Sequence, residues 1–186
     1  MHMGCGGLTP EGLVITLSHI SGKGESMAQK ILVALDSSEG AWRAVEYVAR
    51  TFGQTPGVEV TLLHILSGLP PALWDDGHIL QDQEREARQR LVAFWQADQE
   101  KNWQGLVAKA RNHLKAAGIP AAAVTAKFKP KYYDVAEDMI NEATSENCST
   151  IVMGRRGLGK AKALLLGSVT AKVVQSAKDV AVTIAG

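Results

Sequence analysis

The segment "IVMGRRGLGKAKALLLGSVTAKVV", residues 151–174, places glycines, cations and one serine between two apolar runs. Its spacing is Gly154-x2-Gly157-x9-Gly167-Ser168. Glycine at 154 lets the backbone leave a strand with little bulk, and glycine at 157 admits close approach of a ligand. Gly167 and Ser168 put free backbone amides and a hydroxyl at a helix start, where the helix dipole favours an anion such as phosphate. Arg155, Arg156, Lys160 and Lys162 add positive potential. The chemistry expected is a phosphate cradle in two pieces.

Two commoner phosphate loops fit less well. "GRRGLGKA", Gly154 to Ala161, follows the Walker pattern except at its last position, where a magnesium-binding hydroxyl is replaced by Ala161. The chain remaining after it holds one helix and one strand, whereas a Walker domain needs several more strands. A dinucleotide fingerprint requires G-x-G-x-x-G after a strand, and the first strand leads into "SSEGAW" instead. A plain turn with solvated cations would not explain a second glycine pair at a helix start.

The elements that must position this loop alternate along the chain. "KILVALD", Lys30 to Asp36, is a continuous apolar run ending in an acid, as in a strand buried on both faces. Ser37 or Ser38 can cap the next helix, whose Ala41, Ala44, Val45, Val48 and Phe52 recur at helical spacing until Gly53. Val58 to Leu66 reads as a second strand, and residues 67–82 as an irregular excursion. A long helix is expected from about Gln83 to Ala117, with Gly105 the point where it could break. Its expected stripe is Leu91, Trp95, Trp103, Leu106, Ala110 and Leu114.

A third strand is expected over Ala121 to Phe128, then a helix capped by Asp134 and running to Glu146. "CSTIVMG" reads as a fourth strand, Ser168 as the N-cap of a last helix to Ala177, and "VAVTIA" as a fifth strand. Such alternation predicts an α/β fold: a single-domain Rossmann-like sandwich, a five-stranded parallel sheet with helices on both faces. Ligands in such folds sit beyond the carboxyl ends of strands, here after Asp36, His64–Ile65, Phe128 and Met153.

Composition narrows the partners. Twenty basic and nineteen acidic residues give a net charge of +1, so no global field favours nucleic acid or a membrane surface. No apolar run approaches the roughly 18 residues of a membrane-spanning helix. Cys5 and Cys148 make a poor disulfide framework, which points to a reduced, cytoplasmic setting. Residues 1–26 are Gly/Ser-rich without sustained period and are read as an extension, disordered or a non-native start, ahead of a domain over 27–186.

Taken together, G-x2-G-x9-G-[ST] after a strand ending in Met-Gly, "KILVALDSSEGAWRAVEYVA" and "VTLLHIL" resemble the universal stress protein family. The resemblance spans about Lys30 to Ala185. It implies an adenine-nucleotide-binding α/β fold, usually a homodimer, and the intact glycines match the ATP-binding branch. By position, Asp36 would lie near adenine and ribose, and Ile65 would touch adenine. Met153 and Gly154 would line the pocket. Gly157, Gly167, Ser168 and Val169 would hold phosphates, with Thr170 a further candidate. Two departures stand out: Tyr133 and Val135 occupy the places of a Gly-x-Pro turn before the third helix, which would reshape one wall of the adenine pocket. Ala181 lies near the place of a proline in the last strand.

Each candidate also has a plainer reading. Asp36 can cap the first helix, while Ile65 and Met153 are by default core residues. His64 reads as a buried, hydrogen-bonded histidine, since no cysteine or acid is spaced to join it. The four tryptophans read as packing residues. The function expected is nucleotide binding in a regulatory or stress-resistance role. The ligand is ATP, with ADP or AMP as alternatives, and magnesium is held through phosphates. No catalytic constellation accompanies the loop. The rivals are a slow ATPase of the same fold and a nucleotide-free dimeric interaction module. A homodimer with the apolar last strand at or near its interface is expected.

Overall fold

The structure, a computed structural model, describes residues 29–69, 81–157 and 166–186. The expectations for the N-terminal extension, most of the 67–82 excursion including Trp74, and Lys160, Ala161 and Lys162 lie outside the described residues. Five strands form one parallel sheet: β1 (Lys30–Ala34), β2 (Glu59–Leu66), β3 (Val124–Pro130), β4 (Thr150–Gly154) and β5 (Ala181–Ala185). Their spatial order is β3-β2-β1-β4-β5. The order reverses between β1 and β4, so a crevice opens beyond their carboxyl ends. The predicted α/β sandwich is what the chain adopts.

Strand periodicity divides the core into two layers. Ile31, Val33, Val60, Leu62 and Val152 face α1 (Glu39–Phe52) and the second half of α2 (Asp82–Ala116). Leu32, Leu63, Ile151 and Met153 face α3 (Val135–Ser145) and α4 (Ser168–Ser176). Ser38 caps α1 by accepting the Ala41 amide at 3.1 Å. Asp134 caps α3 by accepting from Ala136 and Glu137, as expected.

Three expectations are corrected. Helix α2 runs unbroken through Gly105, because Gly105 faces open space while Trp103, Val107, Ala110 and Leu114 pack on both sides of it. That packing outweighs the ~1 kcal/mol helix penalty of one glycine. The buried stripe of α2 also stops at Trp103, and Leu91 is 57 % exposed. A helix rising ~1.5 Å per residue extends well past the strands it covers, so its first half overhangs the sheet. Finally, β3 begins at Val124 after a 3-10 turn at Ala121–Ala123, and it reaches Pro130. Proline is tolerated there because β3 is an edge strand.

Candidate functional site

The strand β4 and helix α1 meet through glycine. A Cβ on Gly154 would fall 2.3 Å from the Gly40 backbone, and one on Gly40 would fall 2.1 Å from the Arg156 carbonyl oxygen. Bare backbone at both positions lets the chain leave β4 directly over the start of α1. Gly154 therefore does more than thin the loop, and Gly40 is its unpredicted counterpart. The chain then returns so that the Gly167 amide donates to the Arg155 carbonyl at 2.9 Å. A Cβ on Gly167 would lie 3.7 Å from the Gly157 amide nitrogen. Both pieces of the predicted cradle are thus side by side.

Helix α4 starts differently from expectation. Gly167, not Ser168, is its N-cap, and no side chain caps it. Ser168 is the first helical residue, because glycine takes the extended N-cap conformation (φ −66°, ψ 155°) and the Ala171 amide already bonds to the Gly167 carbonyl. The amides of Ser168, Val169 and Thr170 precede the first intrahelical bond and are open to an anion. The Thr170 side chain is committed elsewhere: its buried hydroxyl donates to the Gly154 carbonyl at 3.1 Å.

These parts open on a cleft of about 350 Å³ at the β1/β4 crevice. Asp36, Ile65, Met153, Gly154, Gly157, Gly167, Ser168, Val169 and Thr170 all border it. Ile65 and Met153 serve as core and as lining at once, being only 6 % and 4 % exposed. Asp36 holds the Ser38 amide through Oδ1 at 2.8 Å, so it braces the turn before α1 while Ser38 makes the cap. His64 is half-buried. Its Nδ1 lies 3.0 Å from the Leu35 carbonyl, and its ring stacks on Phe128 at 5.3 Å between centroids.

Several lining residues went unpredicted. Ser38 and Ser67 follow the ends of β1 and β2, where the rule of carboxyl ends could have found them. Met139, also unpredicted, shares one face of α3 at helical spacing with Val135, which the resemblance had already tied to that wall. The turn before α3, where a Gly-x-Pro was absent, is held by Asp138, which accepts the amides of Tyr132 (2.7 Å) and Tyr133 (3.1 Å). Trp42 and Trp103 are packing residues, as expected: Trp103 is core, and Trp42 lies under the Lys109 ammonium 4.0 Å from its ring.

One charged cluster fixes the α3 wall. Glu142, 5 % exposed, meets Lys127 at 2.7 Å and also Lys129. Lys127 reaches Glu146 as well, and Glu146 accepts the Thr61 hydroxyl at 3.1 Å. Burial pushes the Glu142 carboxyl up, but hydrogen bonds from Lys127 and Lys129 outweigh it and leave the group below its usual range. Bonds to Glu142 and Glu146 raise Lys127. Cys148 beside this cluster is a free, buried thiol pushed up to about 11 by burial and then by Glu146. Among the described residues no three His, Cys, Asp or Glu side chains gather as a metal site, and no helix is long and apolar enough to cross a membrane.

The model of the universal stress protein family matches residues 27–183. The chain belongs to that family. It is similar to universal stress protein YxiE of Bacillus subtilis (strain 168), with 25% identity over 156 residues, 80% of this chain and 93% of that one. Universal stress protein UspA from Lactobacillus plantarum shares the fold at a TM-score of 0.64 and 16% identity, over 87% of this chain and 100% of that one. A universal stress protein from Archaeoglobus fulgidus, in complex with dAMP, superposes at a TM-score of 0.54 with 19% identity, over 85% and 98%.

Proposed function

We propose that this universal stress protein binds an adenine nucleotide, ATP foremost with ADP and AMP as weaker ligands, and acts through binding in a stress-related regulatory role in the cytoplasm. The observation that carries the reading is the meeting of Gly157 with the uncapped start of α4 in one cleft. Phosphates would lie on the amides of Gly157, Ser168 and Val169, with the Thr170 amide behind them; the Gly167 amide is committed to the Arg155 carbonyl at 2.9 Å, so Gly167 would serve by its lack of a side chain. The base would enter between Ile65, Met153 and the α3 wall, and Asp36 would face the sugar. Magnesium would be held by phosphate oxygens rather than by a protein cage. The dAMP complex of the Archaeoglobus fulgidus relative supports the choice of adenine.

Acid extraction of the purified full chain, followed by chromatography of the released nucleotide, tests this directly. Calorimetry with ATP, ADP and AMP on stripped protein complements it. No nucleotide released, together with no heat of binding up to ~1 mM ligand, would reject the proposal.

We propose further that the chain forms a homodimer through β5, which lies at the sheet edge. The Ala181 amide bonds inward to the Ser149 carbonyl, and the Ala185 carbonyl bonds inward to the Arg155 amide. Strand alternation then turns the Val182 and Ile184 amides outward. Val182→Pro removes one outward donor and leaves the ladder intact. It is expected to weaken a dimer seen by light scattering, and an unchanged dimer would place the contact elsewhere.

A further inference from the structure

We infer that the overhanging first half of α2 is a docking face for residues 70–80 of the same chain, which pass along it from the end of β2. This inference is independent of the nucleotide reading. Trp103 marks where the overhang begins. Its ring lies 5.5 Å from that of His64 and 6.3 Å from that of Phe128, register partners near the carboxyl ends of β2 and β3. Beyond that level α2 continues back to Asp82, about 30 Å further at ~1.5 Å per residue. Gln99, Trp95, Val92 and Arg88 prolong the Trp103 stripe at helical spacing and are half-buried. Leu91, 57 % exposed, and Phe94, 75 % exposed, widen the apolar arc beside Trp95. A half-helix left bare gains little stability in water, since most helices depend on a packed apolar face.

Chain length and end points select the occupant. Leu69 stands just past the end of β2, where the Gly68 amide turns back onto the Leu66 carbonyl at 2.9 Å. Gln81 is the N-cap of α2, at the far tip of the overhang. The chain between Leu69 and Gln81 reaches roughly 40 Å when fully extended. The climb from the end of β2 to that tip is about 20–30 Å, half or more of the reach. The segment therefore stays close to the helix it passes. The other stretches outside the described residues leave from elsewhere: 158–165 from the cleft loop, and 1–28 from the amino end of β1. The sequence "PPALWDDGHIL" suits the face. Pro70 and Pro71 favour an extended start. Even spacing along the climb then brings Leu73 and Trp74 to the height of Leu91 and Phe94, and Ile79 and Leu80 to the first turns of α2. Asp75 and Asp76 come level with Arg88, the cation of the half-buried stripe.

The test is hydrogen exchange on the full chain, read at the amides of residues 86–99 at two protein concentrations about tenfold apart. Replacing residues 70–80 by a Gly/Ser run of equal length is expected to speed exchange there at least tenfold, while β1, β2 and β4 stay protected. A second measurement reads the contact in the otherwise intact chain. In a Cys5→Ser background, Trp74→Cys with Leu91→Cys should close a disulfide within one chain under mild oxidation. Trp74→Cys with Ala93→Cys, on the opposite side of the helix, should close at least tenfold more slowly. The inference is overturned if the Gly/Ser variant exchanges like the parent chain, or if both cysteine pairs close at the same rate. It is also overturned if protection of residues 86–99 rises with protein concentration, which would give the face to a second copy.

Discussion

Asp36 and Gly157 stand against each other across the cleft, close enough that a Cβ on Gly157 would come within 3.1 Å of Asp36 Oδ2. The other oxygen of Asp36 is held by the Ser38 amide at 2.8 Å. A side chain at 157 therefore crowds the cradle and also pushes on the carboxylate proposed to face the sugar. Gly157→Ala is expected to weaken ATP at least ~tenfold, or about 1.4 kcal/mol, by calorimetry. Gly167→Ala separates the two effects, because its Cβ meets only ordinary contacts, 3.4 Å from the Arg156 Cα. Its folding should be unaffected, and any loss should appear in ATP affinity alone. Normal ATP binding by both variants would remove the cradle from the proposal.

The Gly40–Gly154 crossing is a matter of stability before it is one of binding. Gly154→Ala places a Cβ 2.3 Å from the Gly40 backbone, which is not a flexible side chain that can yield. Overpacking of this kind costs about 1–3 kcal/mol or more. A urea melt should show the loss in both Gly154→Ala and Gly40→Ala, while Gly105→Ala, which meets nothing within 4 Å, should stabilise by a few tenths to about 1 kcal/mol. Equal melts for all three would refute the close crossing.

Two hydroxyls on the first turn of α4 should behave oppositely. Thr170→Val removes the buried bond to the Gly154 carbonyl and should cost about 1 kcal/mol in a denaturant melt. Ser168 caps nothing, so Ser168→Ala should alter stability by less than about 0.5 kcal/mol. Its effect belongs to ATP affinity, and a large stability loss there would restore Ser168 as the cap.

The cluster around Glu142 makes stability depend on pH in a stated direction. Glu142 and Glu146 titrate below the ordinary glutamate value of 4.5 in the folded chain, so their contribution is full above 4.5 and is lost as pH falls through the lowered values. Lys127 titrates above its ordinary 10.5, so its contribution is present below 10.5 and fades as pH climbs past that. Glu142→Gln should lower stability at pH 7 and flatten the loss as pH falls below 4.5. The cost should stay below the roughly 3–5 kcal/mol of a buried pair stripped of one partner, because Lys127 retains Glu146. An unchanged acid limb in thermal melts would discard this account.

Much of the molecule was written locally. Apolar runs at Lys30, Val58, Thr150 and Ala181 marked strands, because a strand buried on both faces needs nothing but apolar residues. Asp134 marked a helix start through a bond that reaches only three residues. The glycine spacing from 154 to 168 marked the loop and the start of α4, and the family resemblance added Asp36, Ile65, Met153, Val169 and Thr170, which sit at strand ends or the helix start beside it and border the same cleft.

Tertiary contact decided the rest. The sequence suggested a break at Gly105, yet packing by Trp103 and Val107 carried the helix across it. Capping by Gly167 rather than Ser168 followed from where the returning chain met Arg155. Gly40 owes its glycine to Gly154 and Arg156, more than a hundred residues away. Lys127, Glu142 and Thr61 are ordinary surface types in sequence and become one buried network only when α3 lies across β2 and β3. Periodicity and capping act over a few residues and can be read along the chain. Close approaches and buried charge depend on strand order and helix docking, which no local pattern encodes.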